Sequence, residues 1–183
     1  MRPMGWLRRF AGIVFTIVVV AGPARAADLN IAAFFGQWQG NAVSESAISL
    51  YFQLTSRDIG VTVKPSGDGF TLTWNTVQRQ KGDPNNPAEE LKSTTVQFRA
   101  ERPGVWRSVD TRDPLTSGVP YIWAHIRERT LVVNALQINP DGGYEVQVYR
   151  RTLSGTGMEL EFVRVVDGEP VRTAKGRLIK IAN

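Results

Sequence analysis

The sequence predicts an all-β protein whose strands close into one antiparallel barrel. From residue 36 onward, short runs of β-branched and aromatic residues alternate with polar ones at period two, which is typical of strands. In the second half, connections of two to five residues separate these runs, and connections that short join only antiparallel neighbours. An open meander of this length would leave two strand edges unpaired, and closure into a barrel removes both.

The second half contains the clearest strands. Asp167-Gly168 is a two-residue hairpin signal, and the segments 139–143 and 154–157 are rich in turn residues. The predicted strands between these turns cover residues 121–126, 130–138, 144–153, 158–166 and 171–181.

The first half completes the barrel, with polar loops over 81–90 and 110–119. The segment 41–55 is ambiguous, because its residues could continue a strand or form a short helical lid. These runs predict a closed up-and-down barrel of about eight to ten strands, a number that suits such a barrel, and 41–55 could supply a further strand. An open sandwich of two sheets is the alternative. The strands predicted here cover residues 36–43, 57–64, 70–77, 93–98 and 104–109.

The N-terminus has the pattern of a signal peptide. Arg2, Arg8 and Arg9 precede an uncharged apolar run over 10–22, which is too short for a spanning helix, and Ala24-Arg25-Ala26 fits the small-residue cleavage rule. We predict cleavage after Ala26, which leaves one domain, 27–183, in the periplasm or outside the cell with no membrane span. A retained N-terminal anchor is the alternative.

Composition excludes several function classes. Four of the 22 basic residues and none of the 17 acidic ones lie in 1–26, so the remaining chain carries 18 against 17, a net charge of +1 instead of +5. That balance argues against a nucleic-acid partner. The chain has no cysteine, which excludes disulfides and metal sites built on thiolates.

Gly36 and Trp38 carry a family resemblance. A glycine two residues before a tryptophan, in the first strand of an all-β chain, resembles the opening motif of the lipocalins and their calycin relatives. The resemblance implies that Trp38 closes one end of the barrel, often under an arginine from a late strand, for which Arg164 and Arg177 are both candidates. The chain is also similar to exported bacterial domains of this type without assigned activity. It lacks the paired arginine and tyrosine that hold fatty acids in the cytosolic relatives.

No catalytic, metal or cofactor site is predicted. His125 is the one histidine, and the sequence contains no nucleophile elbow, phosphate loop or metal-ligand spacing. Glu159 and Glu161 alternate with apolar residues and are expected to face water. The same alternation sends Glu145 and Gln147 outward.

Aromatic residues on strands provide the binding candidates, because inward positions of a small barrel either fill it or line a cavity. Tyr121, Trp123 and His125 share one face of one strand. Arg164 follows Phe162 on its face and could meet a ligand carboxylate. The full set of candidates is Trp74, Trp106, Tyr121, Trp123, His125, Tyr149, Phe162 and Arg164.

Three functions follow from these patterns. The first is an exported soluble barrel that binds a small hydrophobic molecule in its interior. The second is a protein-interaction or inhibitor module of the cell envelope with a filled interior. The third is an enzyme acting in the barrel mouth, and the missing catalytic motifs make it the least favoured. The sequence predicts no oligomeric state.

Overall fold

The structure, a computed structural model, describes residues 27–49, 54–79, 89–155 and 157–183. The predicted signal peptide lies outside these residues. A 3-10 turn over Ile31–Phe34 precedes the first strand, and a short helix, α1 (Pro114–Ser117), lies within the predicted loop 110–119. The strands are β1 (Gly36–Ser46), β2 (Leu54–Ser66), β3 (Gly69–Arg79), β4 (Glu89–Arg102), β5 (Val105–Ser108), β6 (Tyr121–Arg127), β7 (Thr130–Ile138), β8 (Tyr144–Ser154), β9 (Gly157–Val166) and β10 (Glu169–Ala182).

The ten strands form a closed antiparallel barrel, which confirms the predicted fold class. Each strand pairs with its neighbour in sequence, and β1 pairs with β10 to complete the circle. The two-sheet sandwich is therefore wrong. In the ambiguous segment, β1 continues to Ser46 and β2 begins at Leu54, so the described part of 41–55 contains strand and no helix, while 50–53 lies outside the described residues.

Two glycines allow the first and last strands to pair closely, at the junction that we call the seam of the barrel. A Cβ on Gly40 would lie 2.0 Å from the carbonyl oxygen of Arg177, and a Cβ on Gly176 would lie 2.5 Å from that of Asn41. Both distances are far shorter than van der Waals contact allows. The strands can therefore approach as closely as they do only because these positions have no side chain.

One end of the barrel is filled with apolar side chains, and we call it the closed end. It holds the turn over Ile31–Phe34 and the connections at 67–68, 103–104 and 128–129. Phe70 stacks on Phe98 with ring centroids 4.7 Å apart, and Phe34 is fully buried. This end holds the main hydrophobic core.

Trp38 fixes the N-terminal segment across the closed end. Its indole Nε1 donates a 3.0 Å hydrogen bond to the carbonyl oxygen of Phe34, and its side chain is buried. The cation over its ring is Lys180, whose Nζ lies 5.6 Å from the centroid. This corrects the expectation of an arginine there. Arg177 is exposed, and Arg164 lies toward the other end of the barrel.

A cavity at the open end

The opposite end of the barrel, which we call the open end, contains a cavity. It lies where β1, β3, β7 and β9 finish and where β2, β4, β8 and β10 begin. Its volume is about 340 Å³, near the lower limit of small-molecule pockets, about 300–1,000 Å³. Lys92 and Thr94 in its lining are exposed, so the cavity communicates with solvent. The lining residues are Ser44, Arg57, Ile59, Trp74, Thr76, Lys92, Thr94, Glu145, Gln147, Tyr149, Arg151, Leu160, Phe162, Arg164, Arg172 and Ala174.

Alternate residues of β8 provide much of the polar lining. Glu145, Gln147, Tyr149 and Arg151 all line the cavity, as the two-residue period of a strand requires. The expectation that Glu145 and Gln147 face water is therefore wrong. It assumed that the interior is apolar throughout, whereas only the closed end is.

A chain of hydrogen bonds follows this face of β8. The Tyr149 hydroxyl donates to Gln147 Oε1, and Gln147 Nε2 donates to Glu145 Oε1, each at 2.6 Å. Arg164 Nη2 donates to the other oxygen of Glu145, also at 2.6 Å. The hydrogen bond from Arg164 is the main reason why the pKa of Glu145 is lowered, although burial opposes it. Both oxygens of this carboxylate are thus already occupied.

Aromatic rings form the apolar wall of the cavity. The Tyr149 ring lies between Trp74 and Phe162, with centroid distances of 5.3 Å and 4.7 Å. Both spacings lie in the range of favourable aromatic pairs. Burial raises the pKa of the Tyr149 hydroxyl, which is therefore neutral at pH 7.

Arg151 lies on the side of the cavity nearest the core, and its side chain is fully buried. Its guanidinium carbon is 5.6 Å from the centroid of Trp74 and 5.5 Å from that of Tyr149. Among the described residues, none accepts a hydrogen bond from its Nε, Nη1 or Nη2. Burial lowers the pKa of Arg151 to about 10, so the group keeps its charge at neutral pH.

The described part of the lining is cationic. Its charged members are one carboxylate, Glu145, and five basic residues, namely Arg57, Lys92, Arg151, Arg164 and Arg172. Arg57 and Lys92 have interaction partners of their own. The cavity therefore combines an aromatic wall with an excess of positive charge.

The structure brings four of the predicted binding residues together. Trp74, Tyr149, Phe162 and Arg164 line the cavity. Trp106 does not, because it packs edge-on against Phe70 in the core of the closed end, with ring centroids 5.4 Å apart.

The predicted face of β6 points away from the cavity. Ala124 and Ile126 are buried in the core, so Tyr121, Trp123 and His125 lie on the outer face. This corrects the expectation that the two rings and the imidazole line a pocket. Trp106 also points inward and pairs across the strands with the small residue Ala124. Burial and the charges of Arg127 and Arg150 lower the pKa of His125.

Sequence reasoning missed Arg151. In the sequence it follows Arg150 and looks like the polar end of a strand, but it lies two residues from Tyr149 and so shares its face. Within the described ranges, no group of three or more histidine, aspartate or glutamate side chains is arranged to hold a metal ion. No helix in that part of the chain is long and apolar enough to cross a membrane.

No protein-family model matches the chain, and no curated protein matches it.

Solved structures do resemble the fold. A crystal structure of a protein of unknown function from the DUF3598 family of Nostoc punctiforme PCC 73102 matches 89% of this chain at 12% identity, with a TM-score of 0.56. The chain spans about half, 54%, of that protein. Rv2717c from M. tuberculosis matches 82% of this chain at 12% identity and a TM-score of 0.50, over 96% of its own length.

A weaker match is the S-type phycobiliprotein lyase CPES from Guillardia theta, at 10% identity and a TM-score of 0.39, over 85% of this chain and 94% of that one. A score this low carries no argument. At these identities the likenesses concern the fold alone. The chain is thus a ten-stranded closed barrel that resembles known barrels in architecture, and its calycin membership stays a prediction.

Proposed function

We propose that this chain is an exported barrel protein that binds a small organic molecule with an apolar body inside its open end. The observation that carries the proposal is the cavity of about 340 Å³ with Trp74, Tyr149 and Phe162 along one wall. A concave site with an apolar wall and a few placed polar groups is the usual form of a small-molecule site. A filled interior, the basis of the interaction-module alternative, does not describe this end of the barrel.

The size of the cavity limits the ligand. At about 340 Å³ it lies near the bottom of the range for drug-sized pockets, so a long flexible chain would extend past Lys92 and Thr94 into solvent. The rings favour a flat or branched apolar body, since stacked contacts with aromatic side chains add to the burial of apolar area.

The first test is to identify what the protein carries. The protein purified from the cell envelope is examined by native mass spectrometry, and its solvent extract is analysed for small molecules. We expect a bound species that is released on denaturation.

The second test uses N-phenyl-1-naphthylamine, a neutral dye whose fluorescence rises in apolar surroundings. We expect saturable binding that Thr94→Trp weakens at least tenfold, because Thr94 lines the entrance. Thr95→Trp is the matched control, since Thr95 is also exposed but faces outward, where its hydroxyl meets that of Thr73. Equal effects of the two variants would place the dye outside the barrel. An extract without ligand together with no saturable dye binding would overturn the proposal.

A further inference from the structure

Resting on the binding function proposed above, we infer that the ligand is an organic acid. Its apolar body lies against the rings of Trp74, Tyr149 and Phe162, and its single anionic group binds the guanidinium of Arg151. The class comprises carboxylates and sulfonates on an aromatic or compact aliphatic body.

The first argument is the state of Arg151 itself. A guanidinium carries five N–H donors and no acceptor, and its buried charge is costly unless it is paired. Arg151 is fully buried, yet its three nitrogens have no acceptor among the described residues. The two ring faces beside it compensate only part of that cost. An arginine in this state has donors available for an anion that enters the cavity.

The second argument is that its neighbours in the barrel cannot supply the missing charge. Among the described residues of the lining, Glu145 is the one carboxylate, and it lies six residues away along β8, roughly 20 Å at about 3.3 Å per residue. Both of its oxygens are already bound by Gln147 and Arg164. The Tyr149 hydroxyl is directed to Gln147. Across the strands, Arg151 pairs with Leu131 and Leu160, which are apolar.

The third argument is geometric fit. The planar fork of a guanidinium matches the two oxygens of a carboxylate, and a pair of parallel N–H···O bonds adds direction as well as energy. Arg151 lies at the inner wall and the rings lie beside it, so the acid end enters first and the body remains between the rings and the entrance. A neutral ligand of the same shape would leave the guanidinium donors unpaired.

The charge around the entrance agrees with an anionic ligand. Arg172 lines the cavity where β10 begins, and Lys92 lines it where β4 begins. Excess charge of one sign in a cleft raises the local concentration of ions of the opposite sign and speeds their association.

The inference is tested with two dyes that share one aromatic body. 8-Anilinonaphthalene-1-sulfonate carries an anionic group, and N-phenyl-1-naphthylamine lacks it. Both are titrated into ligand-free protein at equal ionic strength. We expect wild-type protein to bind the sulfonate at least tenfold more tightly than the neutral dye.

Arg151→Met separates the charge from the cavity. We expect this variant to bind the sulfonate roughly ten- to a hundredfold more weakly, the loss expected of hydrogen bonds to a charged group, and to bind the neutral dye within twofold of wild type. Arg150→Met is the matched control, because Arg150 is the adjacent exposed residue on the outer face, and it should change neither affinity. Arg151→Lys keeps the charge without the planar fork and should fall between wild type and Arg151→Met.

The outcomes distinguish this inference from the proposed binding function on which it rests. If the neutral dye binds and Arg151→Met leaves the sulfonate affinity unchanged, the acid assignment is wrong while the binding function stands. If Arg151→Met weakens both dyes equally, Arg151 shapes the cavity and does not bind an anion, and the inference is again overturned. If inorganic phosphate displaces the sulfonate at matched ionic strength, the site takes a free anion and not an organic acid. Failure of both dyes to bind overturns this inference, and together with a solvent extract that contains no ligand it overturns the proposed function as well.

Discussion

The ammonium group of Lys180, near the end of the last strand, lies 5.6 Å above the ring of Trp38, near the start of the first. The two residues are also register partners between β1 and β10. The contact therefore lies on the seam at which the barrel closes, and the buried ring below it ties that seam to the N-terminal turn through Phe34.

We expect Trp38→Ala to lower the free energy of unfolding by about 3–5 kcal/mol, the usual cost of removing a buried large aromatic side chain. Urea denaturation followed by circular dichroism measures it. Trp123→Ala is the control, since Trp123 is half-buried on the outer face, and its loss should be clearly smaller. A cost below about 1 kcal/mol for Trp38→Ala would show that this ring does not hold the closed end together.

Gly40→Ala tests the close approach of the first and last strands. The new Cβ would meet the backbone of Arg177, which cannot move without breaking the seam, so we expect a loss of about 1–3 kcal/mol, the usual cost of overpacking. Gly60→Ala is the matched control on the neighbouring strand β2, because the nearest atoms there lie 3.9 Å from the added methyl group. In calorimetric melting, Gly60→Ala should leave the stability of the protein unchanged or raise it slightly. Equal effects at both glycines would contradict the steric account of the seam.

Arg151→Met should make the ligand-free protein more stable. Burial lowers the pKa of Arg151 from 12.5 to about 10. At about 1.36 kcal/mol for each pH unit, that depression costs the folded state roughly 3 kcal/mol. A methionine of similar length avoids the cost, so we expect unfolding at pH 7 to become about 1–4 kcal/mol less favourable. Urea titration of ligand-free protein measures the change. A marked loss of stability in Arg151→Met would mean that Arg151 stabilises the fold and would contradict this prediction. A gain would show that Arg151 lowers the stability of the folded protein.

Glu145→Gln tests the pH dependence of the pair with Arg164. The pKa of Glu145 lies below its ordinary value of 4.5, chiefly because of the hydrogen bond from Arg164. Between that lowered pKa and 4.5 the unfolded chain binds more protons than the folded one, so the pair contributes stability that is complete above pH 4.5 and is lost as the pH falls through the folded value.

We therefore expect Glu145→Gln to cost about 1 kcal/mol at pH 7, since the pair is partly exposed, and the difference from wild type to shrink below pH 4.5. Stability curves from pH 3 to pH 7 measure it. Glu161→Gln, on the exposed outer face of β9, removes a charge without touching this pair. A difference that stays constant across that range would show that the carboxylate is not stabilised by Arg164.

The signal peptide predicted over 1–26 leads to a separate prediction. We expect the protein isolated from the cell envelope to begin at Ala27, because Ala24 and Ala26 fit the cleavage rule for signal peptides. N-terminal sequencing checks this. Ala26→Arg should block processing, since the rule requires a small residue there. A chain that begins at Met1 in wild-type protein would contradict the prediction.

Sequence patterns predicted the strands well because each strand of a barrel alternates between two environments. The strand predicted over 171–181, for example, appears in the structure as β10, which begins two residues earlier at Glu169 and ends one residue later at Ala182. Asp167-Gly168 forms the turn before it, between the paired residues Val166 and Glu169. The closing tryptophan was also predicted from Gly36 and Trp38. The cation over its ring was not predicted, because Lys180 comes from the neighbouring strand β10 and no spacing rule singles it out.

The direction of each face was harder to predict than the strand itself. Alternation shows that four residues of β8 share a face, namely Glu145, Gln147, Tyr149 and Arg151. Placing Glu145 and Gln147 in water assumed that the interior is apolar along the whole length of the barrel. The barrel is apolar only toward its closed end. On β6 the error was the reverse, because a face that points outward was expected to point inward. The rings of Tyr121 and Trp123 were expected inside the barrel, where Trp106 already occupies the space.

The closed end has a practical consequence for handling the protein. Leu29, near the start of the described chain, donates a hydrogen bond to the carbonyl of Glu128 at that end, and β10 finishes there at Ala182. A surface tether, an affinity tag or a fluorescent partner fused after Asn183 would therefore lie on the far side of the barrel from the entrance. Protein immobilised in this way keeps the entrance of the cavity accessible, which makes a C-terminal attachment the suitable orientation for testing the proposed binding in a biosensor.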